Sequence, residues 1–281
     1  MLSVLVSRWV LSESAVVRRV RPGEDWPPSW ELSYGYDRSE IYDEITCYGY
    51  SRAYRNRSRK ALKLITEVLP SGTRILDVAA AQGNFSLALA ELGYDVTWND
   101  LRAELADYVR LKHESGSISF AAGNAFELES PVLFDGVLIA EIIEHVAHPD
   151  QFLAKIAQLV RPGGYIVMTT PNGAYFRNSL PKFSECADPS IYEAIQFRPN
   201  ADGHIFLLHP DEIAQLAKTA GLQLERLELF TNSLTAGHIK LEGLLRQLPM
   251  RVVDSLDVAT QALPEFIARR LLVHIAARFR R

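Results

Sequence analysis

Residues 74–100, RILDVAAAQGNFSLALAELGYDVTWND, constrain the fold more than any other stretch, because a strand, a small-residue turn, a helix, a second strand and an acid follow one another directly. Ile75, Leu76 and Val78 form the apolar run of a buried parallel strand, with Asp77 near its carboxyl end, where open α/β sheets bind ligands. The turn Ala79–Gly83 holds only small residues and Gln82. Phe85, Leu87, Leu89 and Leu92 then carry a helix that Gly93 stops, and Asp95–Asn99 reads as the next strand. Asp100 closes that strand. In layouts of this kind an acid about 20 residues past a glycine-rich turn hydrogen-bonds a ribose hydroxyl. A dehydrogenase cradle would want G-x-G-x-x-G, and this turn has one glycine.

The alternation continues downstream. Ser119–Asn124 reads as a third strand ending at Asn124-Ala125, Phe134–Val146 (FDGVLIAEIIEHV) as a fourth strand and its following turn, and Val160–Gly164 as a turn leading into a fifth strand, YIVMTTPN. Strands separated by helices in this order imply a parallel sheet. Over roughly residues 61–230 the chain resembles the class I S-adenosylmethionine-dependent methyltransferases, whose first motif reads D-x-G-x-G-x-G and whose fifth strand follows an L-k-P-G-G turn. Here Asp77 is followed by Ala79, Ala81 and Gly83, so two motif glycines are alanine, which a methyl group permits where φ stays negative. The resemblance implies an α/β, doubly wound, Rossmann-like seven-stranded sheet. It also implies S-adenosyl-L-methionine contacts from Asp77, Ala79, Ala81, Gly83, Asp100, Leu101, Asn124 and Ala125. Asn124 stands where the family usually has an acid facing the adenine amino group, and its carbonyl oxygen can accept the same hydrogen bond.

The densest chemistry follows the fourth strand. Glu141, Glu144 and His145 stand at i, i+3 and i+4, on one face if the segment turns helical. The fourth strand neighbours the first at the topological switch point, so its end opens into the same crevice. Two carboxylates and an imidazole can hold a divalent cation, and His204, from a distant loop, would complete the set. The E-x-x-E-H pattern with a later histidine resembles the site of ubiquinone-biosynthesis O-methyltransferases and of small-RNA 3′-terminal 2′-O-methyltransferases. That resemblance implies Mg2+ or Mn2+ on Glu141, Glu144, His145 and His204, lowering the pKa of a substrate hydroxyl. Three readings stay open: metal ligation, general-base catalysis by His145 or His204, and a structural role. His209 is expected to help start the next helix, with Pro210 at its first position.

Length and charge bound the rest. A chain of 281 residues, 48% hydrophobic, can bury one large core. A net charge of −4 gives no field toward nucleic acid or an anionic membrane. Cys47 and Cys186 are too few for a disulfide framework. Met1–Val10 lacks a cleavage signal and no apolar run reaches a membrane span, so a cytoplasmic location is expected.

The flanks should choose the substrate. Residues 1–60 are expected to form an extension, with Asp25–Tyr54 so rich in Trp and Tyr that it reads as a lid or as surface packing, ahead of the domain at 61–281. Arg52, Arg55, Arg57, Arg59 and Lys60 open a helix running to about Leu69 and read more readily as a solvated face than as an anion site. An insert at 172–209, ending near His204, should cover the acceptor, and a second at 232–265 should be helical. Leu271–Phe279 fits the family's seventh, antiparallel strand. If helical instead, Arg269, Arg270, Arg278, Arg280 and Arg281 would make a membrane-surface helix. The expected function is methyl transfer from S-adenosylmethionine to a hydroxyl of a small-molecule or saccharide acceptor. Quinol methylation, RNA 2′-O-methylation and a non-catalytic relic of the fold are the alternatives.

Overall fold

The computed structural model describes residues 17–128, 132–196, 203–239 and 241–281. The decapeptide considered as a leader, and Phe197, Arg198 and Asn200–Asp202 of the first insert, lie outside the described residues. Seven strands build one sheet: β1 (Arg74–Val78), β2 (Asp95–Trp98), β3 (Ser117–Phe120), β4 (Phe134–Ala140), β5 (Val160–Pro171), β6 (Gln223–Asn232) and β7 (Leu272–Arg280), in the order β3-β2-β1-β4-β5-β7-β6. All pairings are parallel except those of β7, which runs antiparallel to β5 and β6. This is the doubly wound, Rossmann-like sheet expected.

Nine helices accompany it among the described residues: α1 (Pro28–Glu40), α2 (Tyr48–Thr66), α3 (Asn84–Glu91), α4 (Leu105–Lys112), α5 (Pro149–Leu159), α6 (Pro210–Thr219), α7 (Glu242–Leu245), α8 (Met250–Gln261) and α9 (Glu265–Leu271). The period-two rule of a strand divides the core between the two faces of the sheet. Leu76, Val78, Val137, Ile139, Ile166 and Met168 join one cluster with Phe152, Ile156 and Ile213 of α5 and α6. Ile75, Leu138 and Val167 point the other way, into a cluster with Leu62, Ile65 and Leu89 of α2 and α3. Pro210 opens α6, and the His209 amide donates to Glu212 at 2.8 Å, so His209 sits at the helix start as expected.

The ambiguous segment near the carboxyl end is β7. Its alternation buries Ile275, Ala277 and Phe279 on one face and Ala276 on the other, and antiparallel neighbours on both sides satisfy its backbone. Arg278 is therefore buried and paired with Glu67 and Glu225, which removes the membrane-surface helix considered for this stretch. Among the described residues no helix is long and apolar enough to cross a membrane.

The arginine cluster is also not a solvated face. Arg52 is buried against Asp254 and Asp257 of α8, Arg57 pairs with Glu141, and Lys60 pairs with Glu228. The reason is that α2 packs against the sheet and its polar side chains meet acids of α8 and β6 and the residue after β4. It also runs unbroken through positions 60 and 61, so the second helix of the amino-terminal segment is continuous with the domain.

The aromatic segment ahead of it folds as α1 and packs on α4. Trp26 sits edge-on to Trp30, Tyr34 and Tyr108. Beneath them Asp37 and Lys112 form an ion pair at 2.7 Å with both side chains fully buried, and Asp37 also accepts from Tyr108 and Asn84. Breaking a buried pair by removing one member strands the other charge and typically costs about 3–5 kcal/mol. Lys112→Met should therefore lower unfolding free energy by about that amount in urea titrations. Adding Asp37→Leu should recover much of the loss, and a single variant within about 1 kcal/mol of wild type would contradict this account.

Candidate active site

The candidate site lies at the carboxyl ends of β1, β2, β4 and β5, the end of the sheet from which the turn Ala79–Gly83 and the segment after β4 both leave. Asp77 is buried, and its carboxylate accepts from the Ser86 hydroxyl at 2.6 Å. Burial pushes its pKa up to about 7, with the Ser86 hydrogen bonds opposing and the charge of Asp100 adding to the rise. The turn is pinned on both flanks: Ala80 N donates to Asn99 O, Ala81 N to an Asp100 carboxylate oxygen, and Trp98 Nε1 to Ala81 O.

At the two alanines the structure departs from the expectation of negative φ. Ala79 and Ala81 have φ of 54° and 48°, so the backbone keeps a glycine-type path although the side chains are methyls. Gly83, φ 72°, could not follow them, because a Cβ there would stand 2.7 Å from Val109 Cγ2.

Asp100 is buried and engages Arg102 through both carboxylate oxygens, at 2.9 and 3.1 Å. Leu101 is exposed at the mouth and Ala125 is buried. The third strand ends at Phe120, so Asn124 lies beyond it and starts a 3-10 turn, Ala125–Glu127, accepting from Phe126 N through Oδ1. That oxygen keeps a second lone pair.

After β4 the chain makes a single 3-10 turn, Ile143–His145, in place of the α-helical face expected, and Glu141 precedes it with φ 54°. The four candidate ligands consequently divide. Glu144, His145 and His204 each offer a ligand atom within 4.8 Å of the others, whereas Glu141 is turned to Arg57 at 3.1 Å and stands outside that group. Two contacts position the three. Glu144 is fully buried, its Oε2 accepting from Thr170 at 3.0 Å while Oε1 has no hydrogen-bond partner. The Glu144 carbonyl accepts from Ile205 N at 2.7 Å, which anchors the return of the 172–209 insert and lays the His204 ring 5.0 Å from that of His145. The insert packs Phe183 and Tyr192 on Phe206, which gives it an apolar centre of its own.

Electrostatics separate the two glutamates. Burial, with the charge of Glu141 adding, holds the Glu144 carboxyl well above the ordinary glutamate value. Burial would raise Glu141 too, but the Arg57 guanidinium and then His274 bring it below that value. His274, on β7, is the residue that sequence reasoning did not single out: its imidazole stacks on Phe230, and burial, with Arg57 adding and Glu141 opposing, lowers its pKa to about 4. A lone histidine in an apolar strand was the available signal.

Comparison with known proteins agrees with the geometry. A family described as a methyltransferase domain matches residues 50–227. A ubiquinone biosynthesis O-methyltransferase of Xanthomonas axonopodis pv. citri (strain 306) is 32% identical over 160 residues, 56% of this chain and 65% of that protein. The chain thus aligns with less than two thirds of that relative's length. An S-adenosylmethionine dependent methyltransferase from Mesorhizobium loti superposes with a TM-score of 0.51 at 16% identity, covering 80% of this chain and 98% of the other. The 4+2 cyclase SpnF superposes at 0.52 and 16% identity, covering 94% and 99%. At those identities the two structures speak for the fold alone.

The strained turn yields a direct test. A left-handed non-glycine residue costs about 1–2 kcal/mol, of which glycine's extra unfolded-state entropy returns about 0.5–1 kcal/mol. Ala79→Gly and Ala81→Gly should each stabilise the protein by about 0.5–1 kcal/mol in denaturant titration. A loss of stability from both would show that the alanines are unstrained.

Proposed function

This chain belongs to the methyltransferase-domain family, and we propose that it transfers the methyl group of S-adenosylmethionine to a hydroxyl oxygen of a small-molecule or sugar-like acceptor. The observation that carries the reading is the meeting of Glu144, His145 and His204 within 4.8 Å at the end of β4. β4 pairs with β1, which supports reading the cluster and the cofactor turn as opening on one crevice.

In this reading Asp77, Ala79, Ala81, Gly83, Asp100, Leu101, Asn124 and Ala125 cradle the cofactor. The acceptor hydroxyl lies against the cluster, its oxygen directed at the sulfonium methyl. A hydroxyl is a weak nucleophile at neutral pH, so its proton must leave as the new bond forms. His145 or His204 takes that proton. The oxygen forms a bond to the methyl carbon, the carbon–sulfur bond breaks, and its electron pair returns to sulfur as S-adenosylhomocysteine departs.

The residues also suit a divalent cation. One carboxylate and two imidazoles form a mixed oxygen and nitrogen donor set, and the buried Glu144 Oε1 lacks a partner within the fold. Glu144, His145 and His204 would hold Mg2+ or Mn2+, which when bound lowers the pKa of a coordinated hydroxyl. Glu141 falls outside this set because Arg57 engages it. An RNA acceptor is disfavoured by the net charge of −4, since a basic groove would be needed to bind its phosphates.

Replacing Glu144 with Gln should cut methyl transfer by about 100-fold or more while leaving S-adenosylmethionine affinity, measured by calorimetry, within about twofold. Retention of full turnover in that variant would refute the assignment.

The raised pKa of Asp77 gives a pH prediction with a definite sign. The cofactor is a cation, which favours the ionised carboxylate, so affinity should rise as pH passes upward through about 7. Between pH 6 and pH 8 the dissociation constant should fall about tenfold. Asp77→Asn should flatten that profile, and a flat wild-type profile would contradict the placement of the cofactor's charge near Asp77.

A further inference from the structure

The Asp100 carboxylate is fully engaged within the fold. Its Oδ1 accepts from the Arg102 amide and from Arg102 Nε, both at 2.9 Å, while Oδ2 accepts from the Ala81 amide at 2.9 Å and from Arg102 Nη2 at 3.1 Å. An ionised carboxylate offers about four lone-pair positions, so each one is taken. Yet this acid stands just past the end of β2, where a doubly wound sheet offers a carboxylate to the ribose hydroxyls of a nucleoside. Each hydroxyl must donate to it, because an ionised carboxylate has no proton to give. The two sets of donors compete.

The four donors already in place differ in freedom. Ala81 N belongs to a turn held by Ala80 N on Asn99 O and by Trp98 Nε1 on Ala81 O, and Arg102 N is main chain two residues past the acid. The other two donors sit on one guanidinium. The Asp100 side chain is 4% exposed and that of Arg102 34%, so the acid is fixed in the fold while its partner already borders solvent. A guanidinium fork presents two donors side by side to a carboxylate, as does the vicinal diol of a ribose.

We propose that Arg102 occupies the ribose position of the cofactor site, so that S-adenosylmethionine binds by displacing its guanidinium from Asp100. The proposal rests on the methyl-transfer reading and adds to it a self-closing contact at the cofactor site. In the empty protein the arginine fills the lone pairs and offsets the charge of a buried acid that would otherwise stand uncompensated. In the complex the ribose hydroxyls fill those lone pairs, and the guanidinium turns to solvent. Apparent cofactor affinity is then the intrinsic affinity multiplied by the fraction of molecules in which Arg102 has let go. Arg102 thereby sets the cofactor concentration at which the site fills, without touching the reacting atoms.

The test measures S-adenosylhomocysteine binding by calorimetry in wild type, Arg102→Met, Asp100→Asn and the double variant. Arg102→Met should bind about fivefold more tightly than wild type, or better. In the Asp100→Asn background, where the fork no longer finds two acceptor oxygens, the same change should alter affinity by less than about twofold. A role of Arg102 in merely holding the loop would instead weaken binding in both backgrounds. Nuclear magnetic resonance follows the guanidinium in the unmutated protein. The Arg102 Nε–H signal, assigned by its loss in Arg102→Lys, should move on saturation with S-adenosylhomocysteine from a bonded position to that of a solvated arginine. This readout decides the matter should Arg102→Met fold poorly. An unmoved signal, a smaller gain in Arg102→Met, or the same gain in the Asp100→Asn background would overturn the proposal. Failure of both wild type and Arg102→Met to bind S-adenosylhomocysteine would instead count against the methyl-transfer reading, so the two failures are distinguishable.

Discussion

The parallel register of β1 and β4, with Ile75 opposite Gly136 through Val78 opposite Ile139, is the constraint from which the rest of the site follows. It sets the two strands' carboxyl ends side by side, so the turn after β1 and the segment after β4 open on one crevice. Gly136 lets Leu69 lie close against β4, since a Cβ there would stand 2.5 Å from Leu69 Cδ1 and that side chain would have to shift. Arg57, on α2, meets Glu141 at the edge where it emerges from β4.

Much of this was legible from local sequence. The strand–turn–helix–strand run at 74–100 and the strands at 134 and 160 are written in short-range periodicity, which one segment at a time can express. Glu144, His145 and His204 were legible because residue type and strand-end position already imply a crevice. Other features depend on partners that no window contains. Glu141 was expected to join its neighbours, but its direction is set by an arginine 84 positions earlier, through a positive φ that glutamate rarely adopts. Arg52 looked solvated because its acidic partners lie two hundred residues further on. His274 stayed unread because the segment carrying it could be strand or helix until two antiparallel neighbours fixed it.

Several local inconsistencies share one region, although Asp43 and Thr231 also have positive φ and Ser51, Asp150, Tyr175 and Arg269 also hold unpartnered buried atoms. Left-handed alanines at 79 and 81, a left-handed glutamate at 141 and unpartnered atoms on Arg57, Glu141, Glu144 and His274 all lie around the crevice. Elsewhere the buried ion pair of Asp37 and Lys112 and the paired Arg278 show polar groups satisfied at comparable depth. The crevice is where left-handed non-glycine backbone and unpartnered buried atoms occur together on neighbouring segments, a combination that functional sites favour.

The fold by itself does not choose among chemistries, since a cyclase superposes on this chain as well as a methyltransferase does. The choice falls to the donor set, and that set is incomplete without the insert. His204 reaches His145 because Ile205 N is tied to the Glu144 carbonyl, while Phe183 and Tyr192 close over Phe206 a few residues away. The same contact that seats the cover therefore brings the second imidazole to the first. Under the proposed mechanism, one backbone hydrogen bond would thus serve both the seating of the insert and the assembly of the two imidazoles, which puts a segment peripheral to the nucleotide-binding core next to the chemistry.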